Sequence, residues 1–193
     1  METDYYSIDA ILSENQKLQC TFKIDIPDLG YLDGGAERDI KALSKLQLPF
    51  WLVPMLLHSD YADCTIPPPF SQRVRNALNA EPRSVKLSGL VGSGGLWYGF
   101  GRMIMRQLDD YQAKEISDVL SKTFKERLVD VMDQAHHFGS LGSSAAGVVG
   151  GSGNAGEDFR EGLDATEREL FALAQESAKQ TKQWYESSDK MRR

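Results

Sequence analysis

The sequence predicts an α+β fold, with a small N-terminal β-rich domain at residues 1–66 followed by a larger all-α helical domain at residues 67–193. Three observations predict it. From Lys17 to Ile26 the apolar residues alternate with a period of two, the spacing of a half-buried strand. After Pro67-Pro68-Pro69 they recur every three or four, the spacing of helices. Between the two lies Lys45 to Leu57, KLQLPFWLVPMLL, whose residues from Leu48 to Leu57 are all apolar or proline.

Taken in order, Tyr6 to Leu12 reads as a short helix with Ser7 as its cap and Ile8, Ile11 and Leu12 on one side. Leu18, Cys20, Phe22, Ile24 and Ile26 then form one face of the first strand, which makes Cys20 a small buried hydrophobe. Pro27-Asp28-Leu29-Gly30 reads as a turn, Tyr31-Leu32 as a brief returning strand and Asp33-Gly34-Gly35 as a second turn. Lys45 to Leu48 finishes a strand. Pro49 then fixes φ for a short helix in which Phe50, Trp51, Leu52, Met55 and Leu56 are apolar almost all round. Such a helix needs cover on several sides, either from the core of its own chain or from a partner. Cys64-Thr65-Ile66 closes the first domain as a strand.

In the second domain, Phe70 to Asn79 has helical spacing and stops at Glu81-Pro82. A glycine-rich loop, Gly89 to Gly95, leads into a helix carrying Leu96, Trp97, Phe100, Ile104 and Met105, where Gly99 and Gly101 allow close approach of a neighbour. Ile116, Val119, Leu120, Phe124, Leu128, Val131, Met132 and Ala135 mark a long helix, supported by an i,i+4 pair of Asp118 and Lys122. Residues 138–156 are uncharged and rich in glycine and serine, a flexible linker by composition. Residues 157–187 read as a final long helix. Its seam is Phe159, Leu163, Thr166, Leu170, Ala174, Ser177, Thr181 and Trp184, and its charges run from acidic to basic as the helix dipole favours.

Composition narrows the function. With a formal charge of −6, the chain lacks the broad basic face that grips nucleic acid, so any contact with DNA is at most indirect. The densest basic group before the C-terminus, Arg73, Arg75, Arg83 and Lys86, is interrupted by Glu81 and has no interleaved aromatics; it reads as a solvated or protein-facing patch. Two distant cysteines without metal-ligand spacing fit a reduced intracellular setting. Met1-Glu2-Thr3-Asp4 lacks the regions of a signal peptide, and the longest apolar run is far below the roughly 20 residues of a membrane span. Adjacent His136 and His137 point about 100° apart on a helix and cannot share a metal as an i,i+4 pair would. In Gly92-Ser93-Gly94-Gly95-Leu96-Trp97 a tryptophan replaces the last glycine of a dinucleotide fingerprint. In Gly94 to Gly99 a phenylalanine, Phe100, follows where a P-loop needs lysine. No catalytic, cofactor or metal motif emerges, and a non-enzymatic role is expected.

Five stretches carry a resemblance to a known family. They are Tyr5-Tyr6-Ser7-Ile8-Asp9-Ala10-Ile11-Leu12, Ile26-Pro27-Asp28-Leu29-Gly30-Tyr31-Leu32, Lys45-Leu46-Gln47-Leu48-Pro49-Phe50-Trp51-Leu52, Tyr98-Gly99-Phe100-Gly101, and Leu163-Asp164-Ala165-Thr166-Glu167-Arg168-Glu169-Leu170-Phe171. In this order they resemble the third Psf subunits (partner of Sld five) of the eukaryotic GINS DNA replication complex. The resemblance implies a nuclear scaffold that joins three other GINS subunits. It also implies contact with the minichromosome-maintenance helicase ring, with a cell-division-cycle helicase cofactor and, through the complex, with DNA polymerase epsilon. It makes Phe50, Trp51, Leu52, Trp97, Tyr98, Phe100, Leu163, Leu170, Phe171 and Trp184 candidates for a subunit or domain interface, and Tyr5 and Tyr6 candidates for a ring or channel contact. The loop Ser88 to Gly95 is longer and richer in glycine than the resemblance leads one to expect. Lys86 stands where an acidic residue is expected. The competing reading is a helical protein-interaction module of another nuclear assembly.

Overall fold

The computed structural model describes residues 6–34, 37–92, 94–141 and 159–191. The element order is α1 (Ile8–Glu14), β1 (Lys17–Phe22), β2 (Lys45–Pro49), α2 (Val53–His58), β3 (Ala62–Cys64), α3 (Gln72–Ala80), α4 (Trp97–Met105), α5 (Asp110–Leu141) and α6 (Ala165–Met191). A small sheet is thus followed by helices, the α+β class that the change of period predicts.

The sheet has the order β2-β1-β3, and both pairings are antiparallel. Leu18 lies opposite Leu48, Cys20 lies between Leu46 and Cys64, and Phe22 faces Ala62. Alternation puts Leu18, Cys20, Phe22, Leu46, Leu48 and Ala62 on one buried face. The first strand ends at Phe22, four residues earlier than its apolar alternation predicts. Lys23 still donates its amide to Tyr61 O at 2.9 Å while its side chain pairs with Asp60 at 2.5 Å and Asp63 at 3.0 Å, and Ile24 is exposed. Ile26 is recovered only by an isolated bridge to Ile40.

The expected strand at Tyr31-Leu32 is instead a 3-10 turn, Gly30–Asp33. Gly30 explains the difference. Its amide donates to Arg38 O at 2.9 Å, and a Cβ there would sit 2.0 Å from Glu37 O. Only glycine admits so close a backbone approach, and the approach bends the segment back on itself. After β2, Phe50–Leu52 forms a 3-10 turn that runs into α2, and β3 is Ala62–Cys64, two residues earlier than expected.

The sheet has no separate core. Its buried face continues through Phe50, Val53 and Leu56 into Phe70, Leu78, Trp97, Phe100, Ile104, Ile116 and Leu120 as one apolar cluster. Phe70 stacks on Trp97 at 5.4 Å, and Phe50 meets Phe100 edge-on at 6.1 Å across the junction of sheet and helices. Gly101 sits where α4 approaches its neighbours: a Cβ would come 3.0 Å from both Leu120 and Phe70. A second, smaller cluster of Val131, Ala135, Leu163, Phe171 and Ala174 joins the far half of α5 to α6.

The C-terminal boundaries shift. Residues 138–141, read as linker, belong to α5, and residues 142–156 lie outside those described. The last helix was expected from Glu157. It starts in earnest at Ala165, after a helical turn at 159–161 and a break through Gly162, Leu163 and Asp164.

Candidate subunit interface

The break before α6 is held by a buried polar cluster. Asp164 begins a D-x-x-E capping box, Asp164 to Glu167. Its Oδ1 accepts from the Thr166 amide at 2.9 Å, and the Glu167 carboxylate returns to the Asp164 amide at 3.1 Å. The same Asp164 also caps a second helix. Its Oδ2 accepts from the amides of Trp97 at 2.6 Å and Tyr98 at 3.4 Å, the first two residues of α4, whose own flanking Leu96 offers no side-chain cap. One carboxylate thereby stabilises two positive helix ends and fixes the angle between them.

Glu167 ties in α5. Arg127 donates to it from Nε at 2.8 Å and Nη2 at 2.9 Å, a bidentate pair with side chains 7% and 2% exposed. The remaining Arg127 donors reach Pro82 O at 2.8 Å, Val85 O at 3.0 Å and Gly162 O at 3.4 Å. Tyr98 donates its hydroxyl to Glu167 at 2.9 Å. Burial works against the Arg127 charge, but the Glu167 hydrogen bond and the nearby carboxylates outweigh it and raise its pKa. Burial raises the Asp164 carboxyl above its ordinary range, against the lowering effect of the backbone amides that bond it. Burial, and then Glu167, push the Tyr98 phenol up. Every guanidinium N–H of Arg127 is engaged within the chain. The work of the cluster is to seat α6 on α4 and α5.

The seating decides which faces remain uncovered. Along α5 the buried positions among the described side chains are Ile116, Val119, Leu120, Thr123, Arg127, Val131 and Ala135. Five of these, Ile116, Val119, Leu120, Val131 and Ala135, belong to the predicted stripe; its Phe124 and Leu128 are only half-buried and its Met132 is 39% exposed, while Thr123 and Arg127 take the inward positions. In α6 the residues turned inward are Glu167, Phe171 and Ala174, while Thr166, Ser177 and Thr181 of the predicted seam are exposed and Leu170 is half-buried. Leu173 and Trp184 lie on the same outward side as those residues by helical spacing, and both are about three-fifths exposed. From Lys179 to Ser187 no residue of α6 is buried.

The expected interface residues divide accordingly. Phe50, Trp97, Tyr98, Phe100, Leu163 and Phe171 are buried by their own chain; Leu52 and Leu170 are half-buried; Trp51 and Trp184 are exposed. An almost wholly apolar cavity of about 250 Å³ opens between the sheet and α2, lined by Phe22, Ile40, Leu52 and Met55 among others. Tyr6 is exposed, and Tyr5 lies outside the described residues. Of the basic group, Arg75 pairs with Glu115 at 2.5 Å and Arg83 with Asp130 at 2.7 Å. Lys122 approaches Glu126 at 4.0 Å and donates to Asn79 O at 3.2 Å, where a pair with Asp118 was expected. Among the described residues no cluster of three or more potential metal ligands occurs, and no helix is long and apolar enough to cross a membrane.

A β-sheet docked on a helical body, with apolar stripes that outrun their own chain, defines a subunit-type protein. Comparison with known families gives the class its name: the GINS complex protein helical bundle domain matches residues 69–186. The PSF3 N-terminal domain matches residues 6–58. Among curated proteins, the chain is 40% identical to the DNA replication complex GINS protein psf3 of Aspergillus fumigatus, over 93% of this chain and 95% of that one. It is 40% identical to the protein of that name from Phaeosphaeria nodorum, over 94% and 96%. It is 32% identical to that of Schizosaccharomyces pombe, over 96% and 99%. The chain belongs to the Psf3 family of GINS subunits.

Proposed function

We propose that this chain is a non-enzymatic scaffold subunit of a nuclear GINS heterotetramer, required for assembly and activity of the replicative helicase in initiation and fork progression. Residues 1–66 and 67–193 act as its two domains. Three other GINS subunits are its direct partners. The minichromosome-maintenance ring, a cell-division-cycle helicase cofactor and DNA polymerase epsilon engage it within the complex, and DNA contacts it at most indirectly. The observation that carries the reading is the outward stripe of α6, with Leu173 and Trp184 about three-fifths exposed, beside a helix already packed on its other side. Large apolar side chains set among the small residues Thr166, Ser177 and Thr181 on a water-facing helix suit close packing against a partner. Leu170, Trp184 and Trp51 are the proposed contact residues. Phe50, Leu52, Trp97, Tyr98, Phe100, Leu163 and Phe171 hold their elements in place from within, and Tyr5 and Tyr6 are reserved for a ring or channel contact.

Paired replacement of Leu170 and Trp184 by glutamate tests this. Co-expressed with the three partner subunits, the variant is expected to lose co-purification by at least tenfold, because charges would be buried at the seam. Its helicity by circular dichroism should stay unchanged. Retention of all three partners at wild-type yield would overturn the assignment of this face.

A further inference from the structure

The sequence assigns Cys20 to a strand face as a buried hydrophobe, and its position opposite Cys64 gives it a second property. The two residues are direct cross-strand partners between β1 and β3. The flanking bonds, Thr65 N to Gln19 O at 3.2 Å and Lys23 N to Tyr61 O at 2.9 Å, fall at odd-numbered positions of β1 and the residue that follows it. Cys20 and Cys64 therefore occupy a non-hydrogen-bonded site of the antiparallel pair, where Cα atoms approach to about 4.5 Å. That separation falls inside the roughly 4.4–6.8 Å window that disulfides span. Their sulfurs are 2.7 Å apart, both cysteines are free, and the chain contains no other cysteine. Cys20 is fully buried on the central strand, whereas Cys64 is half-buried on the edge strand, against a cavity of about 50 Å³ lined by Leu57, Ile66, Ile104 and Leu108 among others. A space of that size admits a molecule as small as water or hydrogen peroxide.

We propose that Cys20 and Cys64 are a reversible dithiol pair that hydrogen peroxide oxidises to a cross-strand disulfide, tying edge strand β3 to central strand β1. The chemistry balances in two steps. Cys64 Sγ loses its proton and attacks one peroxide oxygen; the O–O bond breaks, the second oxygen leaves as water, and Cys64 becomes a sulfenic acid. Cys20 Sγ then attacks the Cys64 sulfur and displaces hydroxide, which departs as water with the Cys20 proton. The two sulfurs together lose two electrons, and one peroxide becomes two waters. In the reduced pair the shared hydrogen bond lowers the Cys20 pKa and raises that of Cys64, with burial opposing ionisation of both, so deprotonation of Cys64 limits the first attack. Intracellular disulfides are in general transient and redox-sensing, and a thiol reductant reverses this one. The bond would close residues 20–64 into one loop that contains β2, α2 and the exposed Trp51.

The test is peptide mass spectrometry of the full chain, in the assembled form in which it purifies, after reduction, desalting and exposure to hydrogen peroxide. Free thiols are then alkylated in denaturant. The expected result is a Cys20–Cys64 linked peptide pair, a chain lighter by two hydrogen atoms, joint loss of alkylation at both cysteines, and full recovery with dithiothreitol. In the Cys64→Ala variant, Cys20 should remain alkylatable after the same exposure. Three results would overturn the proposal: sulfinic acid on Cys64 with Cys20 untouched, Cys64-linked dimers of the chain, or full alkylation of both cysteines after prolonged exposure.

Discussion

Glu167 accepts from Arg127, from the Tyr98 hydroxyl and from the Asp164 amide, and all of these groups are buried. Removing Arg127 alone leaves an unpaired carboxylate in the core, which costs about 3–5 kcal/mol. Arg127→Met should therefore destabilise by that order, and adding Glu167→Leu should restore part of the loss, read as a coupling in a double-mutant denaturation cycle. Asp164 titrates in the opposite sense to an ordinary stabilising carboxylate. Its folded pKa is raised, so the folded state binds the proton more readily than the unfolded chain, and its contribution grows as pH falls through that raised value toward the unfolded one near 3.9. Relative to wild type, Asp164→Asn should then show a stability deficit that widens as pH is lowered across the carboxylate range. A deficit that narrows would contradict the sign. Asp164-x-x-Glu167 was legible in the sequence as a capping box; it entered the sequence reading only as part of a family motif. The second cap, on α4, was not legible, because no local pattern ties residue 164 to residue 97. Arg127 was half legible, since its spacing from Val131 places it on the buried face of α5, but a charge there is read as surface by default.

Elements were read well where one period governed them. Leu18, Cys20 and Phe22 fall on the buried face as the alternation requires, and Gln72–Ala80 and Trp97–Met105 sit within a few residues of their predicted limits. The misreadings came from long-range geometry. Tyr31-Leu32 has strand-like composition, but Gly30 packed on Glu37 and Arg38 turns it into a 3-10 turn. Gly30→Ala should consequently open this loop and destabilise more than Gly101→Ala, measured side by side by thermal unfolding. At Gly101 the crowding of Leu120 and Phe70 costs about 1–3 kcal/mol and is partly offset by the roughly 1 kcal/mol that alanine contributes to a helix. The α6 seam was read as a single stripe. It is two adjoining ones, an inward row through Glu167, Phe171 and Ala174, and an outward row through Leu170, Leu173 and Trp184. A charged Glu167 on the inward row hid the division from a reading based on apolar spacing alone.

At the scale of the whole molecule, the sheet shares its core with the helices, and the helices in turn leave apolar rows without cover. Such a chain is built to be completed by others. The sequence carried this much through the junction Lys45 to Leu57 and the long C-terminal stripe, but it did not separate residues that bury themselves, such as Trp97 and Phe100, from residues that stay outside, such as Trp51 and Trp184. On the helices that separation follows from how Asp164, Glu167 and Arg127 seat α6 against α4 and α5. The most direct test of a scaffold role is the mass in solution, by light scattering after gel filtration, of the chain alone and of the chain co-expressed with the three other GINS subunits. A scaffold subunit is expected to give a stable one-to-one-to-one-to-one complex, with aggregation of the lone chain. A monodisperse lone chain that ignores those partners would contradict it.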